Sequence, residues 1–435
     1  MEVKVPFGGE FIRAEIPEDN VVGVFQGRDM PSLENFTDKL SEEINRALVK
    51  LKAKKDIKEG TKVTVVVTDR TRPTPNHLIL PVLVDELSEC GVRHQDITIL
   101  SGLGMHAPDS EKDFIENISP EVAGRVNWEN HDPDSPTLLD KGRTPLGTDL
   151  QFNHKYLEAD VRIVTGNVAP CMLSGFSGGG KTVLPGVAAR ETIYKNHRLF
   201  VDALEALDRG SLLGALPPIN TVREDIEEAA SLSGLDFAIN TVLNTKNEVS
   251  RFYVGEHKAI HRKAVEYMTN YIGVDFPEPA DVVIGGTGDA KYEVSLFQGG
   301  SRVLGVLEPV LKKKGTLILV NECREGICEG TDWQLFQDWM EKMPTPEEIF
   351  AAVRKEELDP VNGCIVMTFS WFIHKLEAQI ILVSTGMDPQ QIKNIHLTPA
   401  SSLEEAVSMA MAKHGRDAKV SVVPRAALIQ PHCCF

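Results

Sequence analysis

Residues 62–75 read Lys-Val-Thr-Val-Val-Val-Thr-Asp-Arg-Thr-Arg-Pro-Thr-Pro, a β-branched run that passes directly into a polar loop with two prolines. A short run of this composition predicts a buried strand, and each proline disfavours helix in the residue before it. A stretch with helical spacing of its apolar residues follows at 75–90. The segment therefore predicts a strand, a polar loop and a helix, which together form the repeating unit of an α/β fold.

The same unit recurs on both sides of this segment. We predict further strands at 97–100 and 161–165 and further helices at 34–52, 110–117 and 190–207. Because short strands alternate with longer helices, the sheet that they form is expected to be mostly parallel.

A second group of such units follows Pro277-Glu-Pro279, a stretch that disfavours continued helix. We place a boundary there, between an N-terminal domain at 1–274 and a C-terminal domain at 275–435. In the second domain we predict strands at 281–285, 316–320, 364–369 and 379–383 and helices at 292–313 and 346–355. A last strand near 419–423 is a candidate to return to the first domain. The expected fold class is α/β, with two domains, each a mostly parallel sheet flanked by helices, and an active site in the cleft between them.

The bulk composition limits the classes of partner. The chain has 435 residues, of which 42% are hydrophobic and 25% charged, as is ordinary for a globular protein with more than one core. The formal net charge of −17 argues against nucleic acid or a membrane surface as partner, although local arginines and lysines could still bind a small anion. Seven scattered cysteines, with no signal-like or membrane-spanning run, predict a cytoplasmic location.

Three predicted strands of the first domain lead to reactive side chains. The first leads to Asp69 and Arg72, the second to His106, and the third to Cys171 and then Lys181. Ligands of parallel α/β sheets bind beyond the carboxyl ends of the strands, so these side chains are expected to meet. Arginine suits a carboxylate, and histidine, with a pKa of about 6.5, suits proton transfer at neutral pH. Cysteine is by default a small buried residue, so the role of Cys171 stays open.

Residues Gly175 to Thr182 match the phosphate-loop pattern G-x-x-x-x-G-K-[ST] letter for letter. A phosphate loop lies directly between a strand and a helix. Here the nearest predicted strand ends well upstream, and Leu184-Pro185-Gly186 interrupts the stretch that should become the helix. A phosphate-loop ATPase or kinase is therefore kept as an alternative, which requires a strand leading into the loop and a helix running through Pro185.

Taken together, these segments resemble the nickel-dependent lactate racemase family of racemases and epimerases. The resemblance spans most of the chain in a consistent order, and residues 175–186 carry it most strongly. The matching segments are 69–75, 104–108, 130–132, 175–186, 191–193, 196–198, 285–286, Asp289, 297–298, 322–323 and 325–326.

The resemblance implies a cofactor, a nickel pincer nucleotide, which is a pyridinium mononucleotide that carries thioamide and thiocarboxylate groups. In the family, a loop lysine binds the cofactor covalently through the thioamide, and a later histidine binds the nickel. By motif position these residues are Lys181 and His197. The loop residues implied to contact the cofactor are Ser177, Gly178, Gly179 and Gly180.

The resemblance also implies an isomerase that inverts C2 of a 2-hydroxy acid by reversible hydride transfer to the cofactor, through a 2-keto acid. By motif position, His106 is a base, Arg72 holds the carboxylate, Asp69 orients or polarises nearby groups, and Gln298 contacts the substrate. The implied partners are the acid and the proteins that synthesise the cofactor, with a homo-oligomer left open.

The chain departs from the family pattern at three positions. Cys171 replaces the second base histidine, Phe297 replaces a tyrosine, and Ser301, followed by Arg302, replaces a substrate-facing lysine of lactate racemase. These departures argue against plain lactate and favour a larger 2-hydroxy acid or an epimerisable sugar acid. Whether Cys171 is a base, a spacer or a lost base stays open, so a catalytically altered family member is the remaining alternative.

Overall fold

The computed structural model describes residues 1–208, 210–288, 292–328 and 333–433. These residues form two α/β domains, each built on a six-stranded sheet. Adjacent strands of the N-terminal sheet are parallel except at one edge, where the last two strands of the domain pair antiparallel. The strand order is Val249–Gly255, Phe237–Leu243, Val161–Asn167, Val63–Thr68, Ile97–Gly102 and Asn127–Asn130.

Helices pack against this sheet through their apolar faces. The helix Phe36–Lys52 illustrates the pattern, because its buried residues recur every three or four positions and join the apolar cluster of the sheet. The strands and helices predicted for this domain are confirmed, with ends that differ by a few residues. The other helices are Asn76–Glu89, Glu111–Ile118, Pro120–Ala123, His154–Glu158, Arg190–Leu207, Thr221–Ser233 and His257–Ile272.

The C-terminal sheet is parallel throughout. Its strand order is Thr398–Ala400, Gln379–Val383, Leu311–Val320, Ala280–Gly286, Val420–Val423 and Val21–Val24. Its helices are Ser301–Leu307, Trp333–Lys342, Pro346–Arg354, Pro360–Ser370, Pro389–Asn394 and Leu403–His414. The two parallel sheets confirm the expected two-domain α/β class.

A segment near the start of the chain crosses to the C-terminal sheet, whereas we expected a segment near the end of the chain to cross to the N-terminal sheet. The strand near 419–423 does not return to the N-terminal sheet, because Val420–Val423 pairs with Ala280–Gly286 on one side and Val21–Val24 on the other. All four of its residues are buried, as a central strand of the C-terminal sheet requires. The start of the chain joins this domain instead, and the hairpin Glu2–Phe7 with Glu10–Glu15 packs on the same core.

Two other predictions for the C-terminal domain are wrong. Residues 364–369 are not a strand but lie within the helix Pro360–Ser370, whose N-cap Asp359 accepts a hydrogen bond from the backbone of Asn362. The predicted helix at 292–313 is not continuous, because residues 293–295 are not helical and the strand Leu311–Val320 replaces its last turn. None of the helices in the described ranges is long and apolar enough to cross a membrane.

Candidate active site

A cavity of about 230 Å³ lies between the two domains. Three parallel strands of the N-terminal sheet end at its wall, with Thr68, Gly102 and Asn167 as their last residues. The C-terminal domain closes the other side with Gln298 and the helix Pro360–Ser370. The cavity therefore lies at the carboxyl ends of the strands, where ligands of such folds bind.

Asp69 and His106 form a hydrogen-bonded pair in this cavity. Asp69 is 3% exposed, and its Oδ2 lies 2.9 Å from Nδ1 of His106. Burial raises the pKa of this carboxyl, but attraction to His106 and Arg72 outweighs burial and holds the pKa well below its usual range. A carboxylate at Nδ1 keeps the ring proton there, so that Nε2 of His106 is the acceptor.

Two further side chains meet Nε2 of His106, one from each domain. Nη2 of Arg72 lies 3.5 Å from this nitrogen, and Nε2 of Gln298 lies 3.3 Å from it. Nη1 of Arg72 donates a hydrogen bond to the Thr71 hydroxyl at 2.7 Å, which fixes the guanidinium. An acid bound at Arg72 can therefore present a neighbouring hydroxyl to the histidine base.

Lys181 and Cys171 form a second pair in the same cavity. Nζ of Lys181 donates a hydrogen bond to Sγ of Cys171 at 3.1 Å. Burial raises the pKa of the thiol, but the Lys181 ammonium and hydrogen bonds from Ser174 outweigh burial and lower it. Burial also lowers the pKa of Lys181. Burial favours the neutral amine, which is the form of lysine that reacts as a nucleophile.

His197 has the surroundings of a metal ligand. It lies on the helix Arg190–Leu207, is 8% exposed, and its Nδ1 lies 3.0 Å from the Ile193 carbonyl oxygen. That carbonyl accepts the Nδ1 proton, which leaves the lone pair of Nε2 for a ligand. Burial and then the charge of Lys181 lower the pKa of His197 to about 3, so the imidazole is neutral.

A single imidazole fits a nickel ion whose remaining ligands come with a cofactor. Neutral imidazole is a nitrogen ligand that nickel accepts. In the ranges that the structure describes, no group of three or more His, Cys, Asp or Glu residues could hold a metal ion. His197, with Lys181 in the same cavity, could therefore supply one ligand to a metal that a cofactor brings with it.

The glycine-rich loop does not have the geometry of a phosphate loop. Pro170–Cys171 and Gly175–Phe176 form a short antiparallel hairpin, and Gly179–Thr182 is a single 3-10 turn. Residues 183–189 are described throughout and contain no α-helix, since the next helix begins at Arg190. The ATPase or kinase alternative required a strand leading into the loop and a helix running out of it, so that alternative is wrong.

Arg223 fixes this loop, and the sequence reasoning did not identify it. Its side chain is 0% exposed, and it donates hydrogen bonds to the carbonyl oxygens of Ser174 at 3.2 Å, Gly178 at 3.1 Å and Phe176. The residue lies in the helix Thr221–Ser233, 49 positions after Ser174. An arginine in an amphipathic helix normally indicates a solvated face, so no sequence signal marked its role.

Ser177 and Gly178 line the cavity. The Ser177 hydroxyl donates a hydrogen bond to the Asn167 carbonyl oxygen at 2.7 Å and accepts one from the Ala169 backbone at 3.0 Å. These bonds tie the loop to the end of the strand that precedes it.

Gly179 and Gly180 are absent from the described lining of the cavity. The backbone N–H of Gly179 donates to Oδ1 of Asn240 at 3.1 Å. A Cβ on Gly180 would lie 2.8 Å from Cβ of Ala230, so this glycine lets the loop approach the neighbouring helix. In the structure, both glycines therefore shape the loop behind the cavity.

Ser301 and Arg302 line the C-terminal side of the cavity. The Ser301 hydroxyl donates its proton to the Phe297 carbonyl oxygen at 2.7 Å, within its own helical turn. The guanidinium of Arg302 lies 4.5 Å from the centre of the Tyr292 ring, which holds a positive charge at this wall. Asp289, one of the residues that carry the resemblance, lies outside the described residues.

The fold and the cavity define a two-domain α/β protein with an aspartate–histidine pair, an arginine and a buried lysine in one interdomain site. Residues 7–207 match the lactate racemase N-terminal domain, and residues 276–429 match the lactate racemase C-terminal domain. The chain therefore belongs to the lactate racemase family, which is a family of isomerases.

Two curated relatives extend this match over nearly the whole chain. Lactate racemase from Thermoanaerobacterium thermosaccharolyticum is 25% identical over 431 residues, which are 97% of each protein. Lactate racemase from Lactiplantibacillus plantarum is 26% identical over 432 residues, again 97% of each.

Two solved structures share the fold. The lactate racemase apoprotein from T. thermosaccharolyticum matches 99% of this chain and 100% of its own, with a TM-score of 0.82 at 22% identity. A protein from Thermotoga maritima matches 94% of this chain and 99% of its own, with a TM-score of 0.71 at 19% identity.

Proposed function

We propose that this protein racemises or epimerises a 2-hydroxy acid other than plain lactate, with a nickel pincer nucleotide attached to Lys181. One observation carries the proposal. The acid–base group of Asp69, His106 and Arg72 shares one interdomain cavity with the nucleophilic Lys181 and the neutral His197.

The N-terminal domain is proposed to hold the acid and remove its hydroxyl proton. Arg72 binds the carboxylate, and Gln298 and Nε2 of His106 then face the hydroxyl on C2. Nε2 accepts the hydroxyl proton as the C2 hydrogen leaves with its electron pair, which gives a planar 2-keto acid. Asp69 keeps the opposite ring proton in place and stabilises the imidazolium that forms. Return of the hydrogen, with its electron pair, to the other face of C2 and of a proton to the keto oxygen completes the inversion.

The cofactor roles follow from the two remaining residues. When bound, the pincer nucleotide supplies a reversible acceptor for the hydrogen that leaves C2. Lys181 would hold it covalently, and Nε2 of His197 would supply one nickel ligand. Ser177 and Gly178, which line the cavity, are proposed to contact it as well.

Cys171 is proposed to be the proton carrier for the second orientation of the substrate. It lies in the cavity beside Lys181, at the position where the family pattern has a histidine. Cys171→His should preserve inversion in both directions, whereas Cys171→Ala should slow inversion. An inversion rate that is the same in the wild type, Cys171→His and Cys171→Ala would show that Cys171 carries no proton.

The substrate is proposed to be larger than lactate. Ser301 donates its proton to the backbone and supplies no positive charge, whereas Arg302 adds a cation at the C-terminal wall. The positive charge of Arg302 on this wall suits an acid that carries further polar groups beyond C2.

The experiment that tests this function uses nickel-loaded protein made together with the proteins that synthesise the cofactor. Each enantiomer of a panel of 2-hydroxy acids, deuterated at C2, is incubated in ordinary water and separated by chiral chromatography. We expect inverted product that retains deuterium. Loss of deuterium to solvent would reject the transfer of hydrogen with its electron pair. Fully loaded protein without turnover on any acid would favour a catalytically altered family member.

A further inference from the structure

The contact between Lys181 and Cys171 joins an amine and a thiol inside the active-site cavity. Nζ of Lys181 lies 3.1 Å from Sγ of Cys171, and both residues line the cavity and remain partly exposed. A small solute that enters the cavity can therefore reach the sulfur. The proposed inversion uses the amine to hold a cofactor and the thiol to carry a proton, and neither role requires that the two atoms touch each other.

The fold holds the two side chains side by side. Cys171 lies in a short antiparallel hairpin, and Arg223 donates hydrogen bonds to carbonyl oxygens of the loop that leads from this hairpin to Lys181. The hydroxyl of the next residue, Thr182, donates to a carbonyl oxygen of the strand Val161–Asn167 at 3.1 Å. The amine is thus fixed beside the sulfur, an arrangement that strongly favours reaction between the two groups over reaction with a group in solution.

Cys171 differs in its surroundings from a buried thiol such as Cys323, whose pKa burial raises to about 12. Burial also disfavours the thiolate of Cys171. The Lys181 ammonium, hydrogen bonds from Ser174 and the charge of Arg302 together outweigh burial and lower the pKa of Cys171 to about 5. The thiolate is the form of cysteine that peroxides oxidise, so Cys171 combines this form with access from the cavity.

We propose that peroxide oxidises Cys171 in the cofactor-free protein and that Nζ of Lys181 then bonds to Sγ, which forms a reversible sulfenamide. In the first step the thiolate attacks a peroxide oxygen. An S–O bond forms and the O–O bond breaks, so the sulfur is oxidised by two electrons and the peroxide is reduced. The hydroxide that leaves takes a proton from the Lys181 ammonium and becomes water.

The second step joins the two side chains. The sulfenic acid on Cys171 is neutral, so Lys181 has lost its negative partner and burial favours the neutral amine. Nζ attacks Sγ, the N–S bond forms, the S–O bond breaks, and the oxygen leaves as water with a proton from the amine. The two steps together consume one peroxide and release two waters.

A small thiol reverses the bond. It attacks Sγ, the N–S bond breaks, and the amine leaves; a second thiol then releases the Cys171 thiol from the mixed disulfide. While the N–S bond exists, the amine of Lys181 cannot attach a cofactor. This consequence rests on the proposed function, whereas formation of the bond requires only the cofactor-free chain and a peroxide.

The test uses the full-length protein, produced without nickel and without the proteins that synthesise the cofactor. The protein is treated with hydrogen peroxide and digested with trypsin under non-reducing conditions. Cleavage at Arg162 and Arg190 releases residues 163–190, which contain Cys171 as their single cysteine and Lys181 as their single lysine. Because trypsin does not cleave at a lysine with a modified amine, we expect an uncleaved 163–190 peptide that lacks two hydrogen atoms. Dithiothreitol before digestion should restore cleavage at Lys181.

Lys181→Arg is the matched variant, because it keeps a positive charge beside Cys171 but replaces the amine by a guanidinium, which is a poor nucleophile. Dimedone, which reacts with sulfenic acids, should label Cys171 about tenfold or more strongly in this variant than in the wild type. Cys90 is the internal control, because it is also partly exposed but no amine of the described residues donates to its sulfur. Dimedone labelling of Cys90 should be equal in both proteins.

Three results would overturn the N–S bond. Peroxide could leave Cys171 unmodified, or dimedone could label it as strongly in the wild type as in Lys181→Arg. The 163–190 peptide could also carry an added oxygen, as an N–O–S link does, or be joined through a disulfide to a peptide with a second cysteine.

The effect on cofactor attachment is tested separately, by incubating oxidised and reduced protein with nickel and an active cofactor-synthesis mixture. The oxidised protein should acquire neither nickel nor added mass until dithiothreitol is supplied. Equal uptake by protein with an intact N–S bond would overturn the blocking of Lys181. Failure of the reduced protein to acquire either one is a different result, because it would reject the proposed attachment and leave the N–S bond standing.

Discussion

Replacing Arg223 by methionine should release the loop that carries Lys181. The guanidinium is fully buried, and it donates hydrogen bonds to the carbonyl oxygens of Ser174, Phe176 and Gly178 and to the Ser174 hydroxyl. Methionine fills a similar volume but donates no hydrogen bond, so three loop carbonyls lose a partner inside the protein.

The expected loss of local stability follows from these three contacts. Hydrogen bonds to a charged group contribute about 1.5 kcal/mol each at the lower end of the usual range, which gives about 4.5 kcal/mol for three. Removing the charge also removes the cost of burying it, which offsets part of this loss. We therefore expect a net loss of about 3 kcal/mol in the free energy of opening the loop.

Hydrogen–deuterium exchange with mass spectrometry measures this opening directly. A loss of about 3 kcal/mol corresponds to exchange that is about 100-fold faster, and it should be confined to peptides that cover residues 171–186. Arg162→Met is the matched control, because Arg162 also donates to backbone carbonyls, those of Tyr156 at 2.8 Å and Leu157, but lies outside the loop. Wild-type exchange of residues 171–186 in Arg223→Met would refute the reasoning.

Three further predictions concern the site itself. Asp69→Asn removes the charge that holds the His106 proton at Nδ1, so kcat should fall about 100-fold or more without loss of nickel; an unchanged kcat would contradict the pairing. Without cofactor, Cys171 should react with iodoacetamide below the pKa of about 8.5 of an ordinary thiol, and Lys181→Met should move the midpoint of the reaction upward in pH. In the folded protein His197 has a pKa of about 3, whereas in the unfolded chain it gains a proton below about pH 6.5. The unfolded state therefore binds more protons between these pH values, and the free energy of unfolding should rise with pH in that range. His197→Gln should flatten that rise by about 1.4 kcal/mol per pH unit in denaturant titrations.

Local patterns predicted the N-terminal half of the site well. The strand Val63–Thr68 is almost fully buried and rich in β-branched residues, so its composition identified it and placed Asp69 at its end. The helix Pro360–Ser370 was misread as a strand because its short apolar run is buried on nearly all sides and shows no clear period. Asp359 followed by Pro360, an N-cap and a proline in the first turn, was the available signal.

Long-range contacts could not be predicted in the same way. Pairing of Val21–Val24 with Val420–Val423 joins the two ends of the chain, and no local pattern specifies such a partner. The same holds for the contact of Arg223 with the glycine-rich loop. Cys171 and Lys181 were each identified as candidates, but their contact depends on the hairpin that folds the loop back.

Lys181 is proposed to anchor a nickel-bearing nucleotide, and this proposal is tested by the mass of the intact protein together with its nickel content. The protein is produced with nickel and the proteins that synthesise the pincer nucleotide, and a digest locates any added mass. We expect bound nickel and a covalent addition on the peptide that contains Lys181, and neither in Lys181→Arg. Folded protein with an unmodified Lys181 and no nickel would contradict it.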